Sequence, residues 1–173
     1  MRLAFALPLC ALLPAAALAA GQGETALSGG PGLAVLFDGR TRAGVTADAR
    51  LLYGLSDAWS ARLGLQAVWM PPSDRTSASY LTVPTLGLAV AADATNLVPF
   101  AEAGMAFVDQ RGGGTSSRQR LGGHLGAGAD YLVSRHFTLS ALARIDYYPL
   151  RLTGGHETSP TLLTFAIHLG RVF

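Results

Sequence analysis

From about residue 31 to its end the chain is written in runs of 8–14 residues in which apolar and small or polar residues alternate, separated by turn signals. Alternation with period two is the pattern of a strand with two unlike faces, and no stretch shows the 3.6-residue period of a helix. The 21 glycines are spread through these runs, which argues further against helices. Eight strands are predicted, over about 31–38, 43–54, 59–70, 80–91, 98–109, 120–133, 137–148 and 161–173. The same pattern explains an odd composition. Of the 173 residues 50% are hydrophobic and 14% charged, with mean hydropathy +0.33, against about 25% charged in an ordinary soluble domain. Yet past the N-terminus no run offers the roughly 18 apolar residues of a transmembrane helix. Val83–Ala92 comes nearest and is broken by Pro84, Thr85 and Gly87. Disorder is excluded, because it requires low hydrophobicity with high net charge, and the length suits one domain.

Residues 1–20 read as a cleaved secretory signal. Arg2 is the positive start, Leu3–Leu13 the apolar core, and Ala17-Leu18-Ala19 an A-x-A cleavage site. Residues 21–30 read as a polar, Gly-rich periplasmic entry segment and 31–173 as the folded domain. Cys10, the single cysteine, falls in the signal, so the exported chain is expected to have neither disulfides nor thiolate chemistry. All 13 basic residues are arginine and the net charge is only +2. Scattered arginines on an exported chain give no nucleic-acid partner.

The connections alternate in length. Residues 55–58, 92–97 and 134–136 are short; 71–79, 110–119 and 149–160 are longer and rich in Gly, Pro, Ser and Arg. Short turns at one end and longer loops at the other are the build of bacterial outer-membrane barrels. A strand of about 11 residues, rising about 3.3 Å each and tilted by about 40°, spans roughly 28 Å, enough for an apolar band of about 25 Å.

A soluble lipocalin-like barrel is an inside-out version of the same pattern, so the faces decide. One face carries Ala43, Val45, Leu51, Leu63, Leu65, Leu125, Leu139, Ile145, Phe165, Ile167 and Leu169, uncharged apart from Arg171 near the end. The other carries Asp48, Arg50, Arg62, Gln66, Glu102, Arg120, His124, Asp130, Arg144, Asp146 and His168 among many glycines. Four acids balance four arginines, as in a narrow packed lumen where every charge is paired. These eight charges are expected to form one internal salt-bridge network. A water-facing surface would need denser charge. The aromatics sharpen the choice. Tyr53, Trp59, Tyr131, Phe137 and Phe173 fall on the apolar face at the short-turn end, and Phe37, Trp69, Tyr80, Phe107 and Tyr147 at the long-loop end. Two aromatic girdles mark the two interfaces of a membrane.

The chain closes Leu162-Leu163-Thr164-Phe165-Ala166-Ile167-His168-Leu169-Gly170-Arg171-Val172-Phe173. This resembles the C-terminal signature of outer-membrane barrels, in which Phe165, Ile167, Leu169 and Phe173 would be read by the barrel-assembly machinery. Arg171 departs from the apolar residue usual there. With Leu51–Trp59 and Gly126-Ala127-Gly128-Ala129-Asp130-Tyr131, the domain resembles the small eight-stranded outer-membrane barrel superfamily, the OmpA/OmpX-like β-barrel domain. The resemblance implies an all-β, eight-stranded, antiparallel up-and-down transmembrane barrel in the outer membrane, with lipid and lipopolysaccharide as surroundings. Since the chain stops at Phe173, no periplasmic peptidoglycan-binding domain is expected.

Chemistry is sparse. A lipid A deacylase of this architecture uses a His-x-Ser motif, and His124, His136, His156 and His168 are followed by other residues. Ser140, Asp146 and His168 share a face but point into the lumen, whereas a deacylase must show its nucleophile to lipid. The histidines have no metal-site spacing, and no cofactor is implied. Asp93–Asn96 reads as a turn and Arg111–Gly114 as a loop with neither the Lys-Ser/Thr nor the helix of a phosphate cradle. Arg118 and Arg120 beside it are candidates to meet lipopolysaccharide phosphates. The loops are short for an adhesin. The expected role is structural, in envelope integrity, with a polar packed lumen. A narrow pore or small-ligand conduit of the OmpW type comes second and a lipid-acting enzyme third.

Overall fold

A computed structural model describes residues 21–73, 77–92, 96–112, 115–153 and 158–173. The readings placed on residues 1–20, on Asp93–Thr95 and on Gly113–Gly114 lie outside the described residues. The strands are β1 (Thr25–Phe37), β2 (Thr41–Gly54), β3 (Trp59–Met70), β4 (Ser79–Ala91), β5 (Leu97–Gly112), β6 (Thr115–Leu132), β7 (Phe137–Thr153) and β8 (Thr161–Val172). Each pairs antiparallel with its neighbours in sequence, and β1 pairs with β8, so the sheet is a closed barrel with no free edge.

Two short turns are built alike. In Leu55–Trp59 the Leu55 and Ser56 amides donate to the Trp59 carbonyl at 2.9 and 3.1 Å, and the Ser56 hydroxyl accepts from the Trp59 amide at 3.2 Å. In Val133–Phe137 the Val133 and Ser134 amides donate to the Phe137 carbonyl at 3.0 and 3.2 Å, while the Ser134 hydroxyl accepts from the His136 amide. A serine that holds backbone donors beside it is what makes so short a reversal stable.

Prolines mark two interruptions of the ladders. The β1–β8 pairing skips Gly30 and Pro31, and the β4–β5 pairing skips Val83 and Pro84. A proline has no N–H to donate, so the rungs stop there while the register continues.

The structure corrects the boundaries in three places. β1 begins at Thr25, not Pro31, so most of the segment read as a periplasmic entry lies in the barrel. Its glycines concealed it. They sit where strands crowd: a Cβ on Gly30 would run into the Ile167 carbonyl oxygen, and one on Gly32 into that of Phe165. The region read as a 110–119 loop is strand as well, with β5 reaching Gly112 and β6 starting at Thr115. Gly112 takes the left-handed conformation (φ 86°) that the tight reversal requires. Likewise β7 runs to Thr153. The extensions of β5 and β6 are polar on both faces, and that of β7 follows Pro149, so neither reads as a continuing strand.

The interior is layered. At the short-turn end Ala26, Leu52 and Val172 form a small apolar cluster. At the long-loop end Ala34, Leu36, Val68, Met70, Leu81, Val83, Ala106, Val108, Tyr148 and Leu162 form a larger one, filling the barrel from wall to wall. Polar residues occupy the belt between. The expectation of a polar packed lumen therefore holds for the middle only; the half towards the long loops is a hydrophobic core. The end of β3 is apolar on both faces, which masks the change from polar belt to apolar plug.

Candidate functional site

Every member of the belt projects from a strand at an inward position. Asp48 and Arg50 come from β2, Arg62 and Gln66 from β3, Glu102 from β5, His124 and Asp130 from β6, Arg144 and Asp146 from β7 and His168 from β8; all are buried. A barrel of eight strands has little room inside, and the sequence eases this by setting glycine beside several of the large side chains. Arg50 pairs with Gly64, Arg62 with Gly87, His124 with Gly104 and Phe100 with Gly128. Gly126 lies between Glu102 and Arg144, and a Cβ there would come within 2.8 Å of Glu102 Oε1.

Two arginine clamps hold the belt. Arg62 places an Nη1 at 2.9 Å and Arg50 one at 3.8 Å from the same Glu102 oxygen. The Arg62 guanidinium also stacks 4.0 Å from the Phe100 ring centroid, a cation–π contact shielded from solvent. On the other side Arg144 donates from Nε to Asp146 at 3.2 Å and from Nη2 to Gln66 Oε1 at 2.7 Å, with Asp48 Oδ2 3.9 Å from its Nη1. Gln66 passes the chain on, donating to Thr164 at 3.1 Å. Asp48 joins the clamps, 3.4 Å from Arg50 Nε and 3.7 Å from His168 Nε2. Asp130 accepts from Ser140, its partner across β6 and β7.

Seven of the eight charges expected in one network thus share the belt. Arg120 does not belong to it. It lies at the long-loop end, where its Nη1 donates to the Thr158 carbonyl at 2.6 Å. The belt therefore holds four carboxylates against three arginines. His124 is buried beside Gly87 and Gly104 and stands opposite Asp146 in the β6–β7 ladder.

Ser140, Asp146 and His168 are inward-facing, and they do not assemble into a triad. Ser140 bonds to Asp130, Asp146 to Arg144, and the carboxylate beside His168 is that of Asp48. Among the described residues no three of His, Cys, Asp and Glu converge as metal ligands. Below the belt a cavity of about 10 Å³ is lined by Ser28, Arg50, Arg62, Asp130 and Ser140; about one water fills such a space.

The exterior is the reverse of a soluble protein. Among the described residues thirty large apolar side chains are exposed. Tyr53, Trp59, Tyr131, Phe137 and Phe173 lie outward at the short-turn end, and Phe37, Trp69, Tyr80 and Tyr147 outward at the other, with Phe107 on the same face and half-buried. Phe165, Ile167 and Leu169 are outward on β8. At the seam the Phe173 amide donates to the Thr25 carbonyl at 2.8 Å, and the Arg171 guanidinium lies 5.2 Å from the Phe173 ring centroid. Sequence reasoning missed the apolar plug and its buried Tyr148. The signal for it was the odd face of β3 and β4, where Val68, Met70, Leu81 and Val83 break the polar and glycine pattern.

No protein-family model matches the sequence, and no curated protein matches it. Solved structures do match. Neisserial surface protein A superposes with TM-score 0.68 at 15% identity, over 87% of this chain and 96% of that one. Ail, the attachment invasion locus protein of Yersinia pestis, gives 0.61 at 12% identity over 88% and 99%. The outer membrane enzyme PagL gives 0.54 at 15% identity over 84% and 97%. At such identities what is shared is architecture. The chain has the fold of the small eight-stranded outer-membrane β-barrels.

Proposed function

We propose that the protein is a small integral protein of the outer membrane, non-enzymatic and closed to flow, whose role is structural, with its long-loop end facing the cell exterior. The observation that carries this reading is the pairing of an apolar, aromatic-ringed outer wall with an interior filled from side to side. The outer wall suits lipid and the filled interior leaves nothing to conduct. A narrow pore would need a continuous polar path, and the layer from Leu36 to Leu162 interrupts one. A lipid-acting enzyme would need its nucleophile outside, and Ser140 is buried inside. Residues 1–20 serve in this reading as the cleaved export signal.

Purified protein in planar lipid bilayers is expected to give no stable unitary conductance. Reproducible steps that vanish in protein-free bilayers would overturn the closed-barrel reading.

The C-terminal strand is proposed to carry the assembly signal, with Phe165, Ile167, Leu169 and Phe173 offered to the barrel-assembly machinery. Deleting Phe173 removes an aromatic anchor and the last rung to Thr25. The deleted form is expected to lose most of its heat-modifiable, folded band in outer-membrane fractions, while the same protein refolds in detergent. Equal folded bands from both forms in cells would count against the assembly role.

A further inference from the structure

Between its two aromatic rings the outer wall is uncharged on every strand. Arg171 stands at the edge of that wall. It is an exposed, outward position of β8, level with the short-turn ring, opposite Phe137 of β7 on one side and Leu27 of β1 on the other. Among the described residues no carboxylate comes within ion-pair distance of its guanidinium, which lies 5.2 Å from the Phe173 ring centroid. The acidic residues beyond the described ones belong to connections elsewhere in the chain. Asp74 and Glu157 belong to the long-loop end, and Asp93 to the join of β4 and β5, strands that the closed order sets across the barrel from β8.

The wall beside Arg171 is hollow. Gly29 faces Ala49 across β1 and β2, and Leu169 across β1 and β8. Between the larger side chains of Leu27, Phe137 and Leu169 these two small residues leave a groove of about 420 Å³ that ends at Arg171. At the next outward positions, Pro31 and Ile167, a second hollow of about 670 Å³ begins, and it continues past Phe165 to Ala141 and Ala143 of β7. Arg171 is six residues from Phe165 along β8. At about 3.3 Å per residue and a tilt of about 40° that is a depth of about 15 Å, a little over half of an apolar band of about 25 Å. The two hollows therefore run from the membrane surface to about its middle, the depth of one leaflet.

We propose that this face of β7, β8, β1 and β2 binds an anionic phospholipid of the leaflet at the short-turn end, with the headgroup phosphate on Arg171 and an acyl chain in the grooves. The proposal rests on the reading of the outer wall as lipid-facing. A guanidinium fork fits a phosphate, and an arginine at the interface lays its carbon stem on the apolar wall while its head reaches the headgroups. An apolar groove one leaflet deep with a cation at its outer end matches a lipid in both shape and charge. A second copy of the chain matches less well. Two copies in one membrane meet patch to identical patch about an axis along the membrane normal, which sets Arg171 against Arg171.

The probe is short-chain phosphatidylglycerol, titrated into the folded protein in zwitterionic detergent micelles and read by NMR from the Arg171 Nε–H and the Gly29 and Ala49 amides. Saturable shifts of all three are expected, weaker with phosphatidylcholine and weakening as salt is raised. Arg171→Gln is expected to keep the folded, heat-modifiable band and to bind phosphatidylglycerol about fivefold more weakly, the effect of one basic side chain at an anionic surface. Arg40→Gln, on the exposed turn at the other end, is the control expected to change affinity by less than twofold. Ala49→Leu, which fills the groove and leaves the charge in place, is expected to weaken both lipids; Ala103→Leu, the same change on the outward face of β5, is expected to weaken neither. Absence of saturable shifts, equal affinity for the two lipids, or equal loss in Arg171→Gln and Arg40→Gln would overturn the site. Shifts of Gly29 and Ala49 that follow protein concentration with no phosphatidylglycerol present would give this face to a second copy and overturn the lipid as occupant. The contrast of Leu65→Arg with Tyr53→Arg in vesicles tests the lipid-facing wall by itself, so either result can fail alone.

Discussion

Arg144→Met is expected to destabilise the folded barrel by about 3–5 kcal/mol, the loss typical when one partner of a buried ion pair is removed. Arg144 has 2% of its side chain exposed and faces Asp146, Asp48 and Gln66 together. Methionine fills a similar volume but leaves the Asp146 carboxylate and the Gln66 amide oxygen without their donor and leaves Asp48 with Arg50 alone, and the penalty comes from those stranded groups. Adding Asp146→Asn to the same chain removes one of the stranded charges and is expected to restore part of the loss. Arg111→Met is the contrasting change. Its ion pair with Asp109 is as short, at 2.8 Å, but 74% of the arginine side chain is exposed, so the loss is expected to stay within about 1 kcal/mol. Urea unfolding of the three variants in detergent or vesicles, followed by tryptophan fluorescence from Trp59 and Trp69, measures all of them. Equal losses for Arg144→Met and Arg111→Met would show that the belt is not what holds the interior together.

The strands, their inward and outward faces, and the members of the belt were legible because each rests on alternation alone. A strand is a period-two object, and once Ala47 and Ala49 point out, Asp48 and Arg50 point in. What alternation cannot show is height along the barrel axis. Arg120 has the parity of the belt residues, yet it stands above the plug, because β6 is 18 residues long and rises past the apolar band. The same blindness hid the layering: Val68 and Leu81 have lumen parity, and only the paired register places them opposite one another above the belt. The start of β1 was lost for a different reason. Ser28, Gly29 and Gly30 carry no strand propensity, and the glycines suit the barrel because the Asp48 carbonyl at Gly29 and Ile167 and His168 at Gly30 leave little room for a side chain. Partners of specific side chains, such as Arg62 on Phe100, depend on contacts across non-neighbouring strands and have no local signature.

Leu65→Arg is expected to lower stability by about 2–4 kcal/mol when the protein is folded into phospholipid vesicles, because it would place a guanidinium near the middle of the hydrocarbon. Leu65 is outward on β3, exposed, and flanked by Ala49 and Pro84, which have nothing to offer a cation. Tyr53→Arg is outward as well, but it stands one residue from the turn at the short end, among the aromatic ring. There the guanidinium reaches headgroups and water, and the loss is expected to be about 0–1 kcal/mol. The difference between the two variants carries the information. Neither position touches the lumen, so packing inside the barrel is the same in both. A water-soluble barrel of this shape would accept arginine at either site with little change, since substitutions on a solvated surface stay within about 0.5 kcal/mol. A loss that grows with distance from the turn is a signature that only a hydrocarbon slab produces. Denaturant titrations of both variants in vesicles would supply it, and a flat profile would return the outer wall to water.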